Sequence, residues 1–226
     1  MKKLLITLIS TSFISIAFAF DLSVELPDIP GFSKNKESDA EGGSETDLKS
    51  LSDQQSAVVV SLNSTLRNLS KSQIIFAEAL DLKEVAEVAK MNSENLAKGD
   101  FAGKDKLKKV LSSSNDVQAK INKKMEENQV LSAESKVKFA KGVSPYVDGT
   151  IDAVATGKNA QTAIYSLSNS RDLRVITKMG TLMYVATESP GIIELFFDST
   201  NTLTKFMTTN GMDTEDLKSA SDALGE

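Results

Sequence analysis

Cysteine and histidine are both missing from this chain. Without cysteine there is no disulfide, no thiol nucleophile and no lipid-modified cysteine at an exported N-terminus, so stability has to come from an ordinary apolar core. Without histidine the usual base near neutral pH, the usual catalytic triad and the Glu-x-x-His ligation of helical metal bundles are all gone. Zinc and copper lose their common ligands, which leaves only carboxylate sites for hard cations. The densest carboxylate stretches are Asp148 to Asp152 and Asp213 to Asp216. Neither has the alternating ligands and terminal Glu of a calcium loop, and both read as turns or helix starts.

Two further motifs are incomplete. Ser135 and Lys138 match Ser-x-x-Lys, but the Ser-Asp-Asn and Lys-Thr-Gly companions of that chemistry do not occur. Gly99 to Gly103 lacks the Lys-Ser/Thr that a phosphate loop needs. We therefore expect no catalytic residue, no metal and no cofactor, and a protein that is not an enzyme.

Basic residues are outnumbered, 26 against 31 acidic, for a net charge of -5. A polyanion needs a clustered basic face, so nucleic acid is not an expected partner. Lys2 and Lys3, the apolar run from Leu4, and the small residues Ala17 and Ala19 have the anatomy of a secretion signal covering residues 1–19, with cleavage between Ala19 and Phe20. Its loss removes two lysines and no acid, moving the net charge to -7. No later run is long and uncharged enough to span a membrane. The expected location is periplasmic or secreted, in a bacterium.

Residues 20–46 read as an extended arm, in which Phe20, Leu22, Val24 and Leu26 alternate with polar residues ahead of Pro27 and Pro30, followed by a flexible acidic Gly/Ser linker. The folded region should open at Asp47. Leu48, Leu51, Val58 or Val59, Leu62, Leu66 and Leu69 recur at helical steps, and the pattern continues through Ile74, Val85 and Ala89, either as one helix bent near Ser70 or as two. Leu107, Val110, Val117 and Ile121 mark another helix, on which Lys106, Lys108, Lys109, Lys120, Lys123 and Lys124 form a solvated face. Ser132 should cap a helix carrying Val137, Ala140, Val143, Val147 and Ile151, kinked or divided at Pro145. Gly157, Lys158 and Asn159 read as a turn. The expected fold is all-α, an up-and-down bundle of five to seven helices over residues 47–211, with a short amphipathic tail over 212–226.

The most apolar stretch after the leader runs from Asp172 to Gly211, and upstream segments read as cladding around it. Glu188, Ser189, Pro190 and Gly191 suggest a turn that divides it into two helices, with Ser189 as the cap of the second and Asn210-Gly211 as its stop. Ile192 and Ile193, Phe196 and Phe197, and Phe206 and Met207 place large side chains at adjacent positions, so more than one helix face is apolar. That surplus is either buried at the bundle centre or covered by something else. The scarce polar-tipped residues supply the remaining ligand-binding candidates: Arg171 and Arg174, one turn apart, and Tyr184, with Phe197 from the surplus surface. The expected function is binding, without catalysis, of a protein partner or an apolar small molecule. The alternative is a protein that associates with or inserts into membranes through the pair at 172–211.

Overall fold

The computed structural model describes residues 43–97, 104–127, 130–168 and 179–225, and over these the chain is all-α with no strand. The helices are α1 (Gly43–Ala79), α2 (Lys83–Ala97), α3 (Lys104–Glu126), α4 (Ala133–Ala140), α5 (Val143–Ser168), α6 (Gly180–Thr209) and α7 (Glu215–Leu224). The leader and its cut at Ala19 and Phe20, the arm, Gly99 and Gly103, and the apolar positions Leu173 and Ile176 lie outside the described residues. Helix α1 begins four residues ahead of Asp47.

The organising element is α1, which reverses the expected hierarchy. It meets α2, α3, α4, α5 and α6, and its longest interface is with α5. The reason is its stripe: Leu51, Val58, Leu62, Leu66, Leu69 and Phe76 are all buried, and α1 is long enough to carry that stripe past every other layer. It also runs unbroken through Ser70. The break falls instead at Asp81, whose φ of 58 places it in the left-handed region. There the amide of Leu82 donates to Ala77 O (2.8 Å) and that of Asp81 to Glu78 O (3.3 Å), the paired bonds that close a helix.

Helix α5 runs antiparallel to α1, as the pairs Ser61–Thr156 (2.6 Å) and Asn68–Asp152 (3.2 Å) show. The expected turn at Gly157 is absent, and Gly157 lies inside α5. A Cβ there would stand 3.0 Å from Ile193 Cδ1 and 3.6 Å from Ser189 Cβ, so this glycine serves a close approach of α5 to α6. Division near Pro145 does occur, through Lys141 and Gly142, and leaves the proline in the first turn of α5, where its missing donor is harmless. Ser132 caps α4 as expected, accepting from Ser135 N at 3.1 Å. The core residue of α4 is Phe139 rather than Val137, which is exposed.

The expected turn at Glu188 to Gly191 is also absent, because α6 passes through Pro190 as one helix. Proline inside a helix costs about 3 kcal/mol. Here Leu182, Val185, Ile192 and Phe196, on both sides of it, are all buried on one face, while Pro190 itself faces solvent. Burying such side chains contributes roughly 1.5–3 kcal/mol each, enough to outweigh the proline. Ser189 is correspondingly not a cap; it is buried and donates to Val185 O at 2.6 Å.

Both ends of α6 are tied down by amides from elsewhere in the fold. Leu182 N donates to Gln55 Oε1 of α1 (3.1 Å). At the other end Asn210 Oδ1 accepts from Leu131 N (2.8 Å), and Gly211, at φ 65, completes the stop anticipated at Asn210-Gly211. Between these ties, Phe76, Phe139, Phe206, Tyr146 and Phe196 form a connected aromatic core, with ring centroids 4.5 to 6.2 Å apart. The Tyr146 hydroxyl donates to Phe196 O at 2.8 Å, joining α5 to α6. The tail docks: Leu217 and Ala220 of α7 are buried, and α7 packs chiefly on α5.

Candidate functional site

Arg171 and Arg174, two of the ligand-binding candidates, lie outside the described residues. Tyr184 and Phe197 both belong to α6, but the helix does not bring them together. Thirteen residues separate them, about 20 Å along the axis and on opposite sides of it. The Tyr184 ring is buried, and Lys104 Nζ stands 5.8 Å from its centroid, a cation–π distance. Burial, and then the nearby Glu188 carboxylate, push the Tyr184 phenol above its ordinary value. That combination locks the side chain in place rather than presenting it to a ligand.

Phe197 is different. It is 40 % exposed, whereas its neighbour Phe196 is 1 % exposed. Met183, Ala186, Pro190, Ile193 and Phe197 follow one another at steps of three and four residues, which puts them on one helix face. Met183 is 45 % exposed, Pro190 is exposed, and Ala186 and Ile193 are half-buried. α6 thus carries two apolar stripes, an inner one that builds the core and an outer one whose Met183, Pro190 and Phe197 reach the surface while Ala186 packs against the core and Ile193 against Gly157 of α5. Beside the outer stripe stand the exposed carboxylates Glu194 and Asp198, one turn apart. No lysine or arginine occurs in α6 before Lys205.

The carboxylate stretches do structural work. Asp152 lies inside α5, and its Oδ2 accepts from Ser64 Oγ (2.8 Å) and Asn68 Nδ2 (3.2 Å) of α1. Asp213 Oδ1 accepts from Glu215 N (2.9 Å) at the start of α7. Lys138 lies 3.9 Å from Glu78, an ion pair joining α4 to α1. Among the described residues no three acidic groups gather closely enough to hold a metal ion, and no helix is long and apolar enough to cross a membrane.

One constellation escaped the sequence reading. Gln73, Ser114 and Gln118 are fully buried where α1 meets α3. Their signal was present, because Gln73 occupies the step between Leu69 and Phe76 where the α1 stripe calls for an apolar side chain, and Ser114 and Gln118 occupy the steps between Leu111 and Ile121 on α3. No protein-family model, no curated protein and no solved structure matches this chain.

Proposed function

We propose that this chain is an exported, non-catalytic binding protein that docks a protein partner on the outer stripe of α6. The observation that carries the reading is the exposure of Phe197 and Met183 on one face of a helix whose adjacent face is fully engaged in the core. Apolar surface with a polar rim marks interaction sites. Because the rim is acidic and α6 offers no basic residue until Lys205, the complementary partner presents apolar side chains flanked by Lys or Arg. Export rests on the leader, and the chain's net charge is of the sign such a partner would meet.

The test is a photo-crosslinking residue at Met183, introduced into the full chain in exporting cells, with the same residue at Lys109 on the exposed side of α3 as a control. We expect one protein adduct from position 183 and none from 109, lost on Phe197→Ala and on Asp198→Lys. Adducts that are lipid, or flotation of the purified protein with liposomes, would place it instead in the membrane-associating class. A product containing only a second copy of the chain would make the face a self-association surface. Either result overturns the proposed partner, as does the absence of any adduct.

A further inference from the structure

We propose that the layer where α1, α2 and α3 meet is a binding site for ordered internal water, built from Ser70, Gln73, Asn92 and Ser114. The amides here form a directed chain. Gln73 Nε2 donates to Ser114 O (2.8 Å) and to Gln118 Oε1 (3.2 Å), Gln118 Nε2 to Asn122 Oδ1 (2.9 Å), and Asn122 Nδ2 to Ser199 Oγ of α6 (3.0 Å). The direction is fixed by the first link. A backbone carbonyl only accepts, so the nitrogen of Gln73 faces Ser114 O, and the orientations of Gln118 and Asn122 follow in turn.

At the head of this chain the polar atoms are unmatched. Gln73 Oε1, Ser70 Oγ, Ser114 Oγ and Asn92 Nδ2 are buried without a hydrogen-bond partner. Their residues are 0 % exposed apart from Asn92, at 5 %. Ser70 stands three residues before Gln73, on the same side of α1. Ser114 supplies the carbonyl that Gln73 bonds. Asn92 belongs to the buried face of α2, which packs on both α1 and α3. Three other oxygens are unmatched: those of Asn63 and Gln54 lie two turns or more further down α1, outside this layer, and that of Asn115, next to Ser114 on α3, belongs to a residue that is only half-buried.

The chemistry of the four groups selects the ligand. Asn92 Nδ2 offers protons, Gln73 Oε1 only accepts them, and each hydroxyl does both. A molecule that joins them must donate and accept, must be small, and must be neutral, because none of the four residues is ionisable and an unpaired buried charge is strongly disfavoured. Water meets these terms and typically makes two to four bonds in such places. Filled in this way, the layer links α2 to the amide chain and so, through Asn122 and Ser199, to α6.

The experiment is water-to-amide cross-relaxation by NMR on the full chain. Cross-peaks of a long-lived water are expected at the side-chain amides of Asn92 and Gln73, and the Asn92 peak should persist in Ser70→Ala and in Ser114→Ala, which excludes relay through either hydroxyl. Each alanine variant should melt about 2–4 °C lower, because a bonded hydroxyl is lost. Absence of the cross-peaks overturns the proposal whatever the melting temperatures do. So does a rise in melting temperature in both variants, because removing a hydroxyl that has no partner relieves the fold.

Discussion

The inner and outer stripes of α6 run side by side over the same turns and obey different rules. On the inner side Val185, Ile192, Phe196 and Leu203 are sealed by α1, α3 and α5, and even the polar member, Ser189, is bonded to the helix itself. On the outer side Met183, Pro190 and Phe197 remain in contact with water. The proline sits where its missing amide leaves a carbonyl on the accessible side of the helix, and the unbroken inner contacts keep the helix continuous around it. Hydrophobicity alone therefore does not mark the core. The neighbouring helices decide which apolar face becomes core and which stays exposed.

The largest expected effect that separates the stripes is Phe196→Ala. Removing a ring packed on Tyr146 should destabilise by about 3–5 kcal/mol in urea unfolding, and a loss under about 1 kcal/mol would mean that the inner stripe does not hold the core together. Pro190→Ala should act in the opposite direction, raising stability by about 1–3 kcal/mol as the ladder bond to Ala186 O is restored without disturbing the core. A loss would mean that the proline is required by the fold. Tyr146→Phe should cost about 1–2 kcal/mol, read as a shifted midpoint with unchanged slope, because the Phe196 carbonyl and Thr200 hydroxyl lose a buried partner.

The smallest effect belongs to Tyr184, whose phenol is held protonated by burial and by Glu188. Above the ordinary phenol value of 10.0 the unfolded chain ionises there first, so folding stability falls as pH rises past it. Tyr184→Phe should lose less stability between pH 9 and 11 than the parent chain. An identical loss would show that the ring is not shielded.

The all-α class, the stop at Asn210-Gly211, the cap at Ser132 and the stripe of α1 were legible in the sequence because each depends on local chemistry or on simple periodicity. The hierarchy of helices was not. Leu51 to Phe76 are spread over a long helix diluted by serines, and so look weaker than the dense run at 192–207, although reach along the bundle is what made α1 central. Pro190 and Gly157 misled for one reason: both break isolated helices, and both are retained here because packing across α5 and α6 compensates for them. Of the candidate site residues, Phe197 stood out as surplus surface, but which of Phe196 and Phe197 would be free depended on where α5 lies. Gln73 and Gln118 were overlooked because a polar residue on an apolar stripe reads as an interruption until its partner on another helix is known.

Docking through Met183 and Phe197, as proposed, would use side chains that the fold leaves exposed. Its most direct test is the crosslinking yield from position 183 in Phe197→Ala, taken on protein whose melting temperature has been measured. The prediction is a melting temperature within about 1–2 °C of the parent, as for a surface substitution, together with loss of the protein adduct. An adduct that survives, or a destabilisation approaching that of Phe196→Ala, would contradict it.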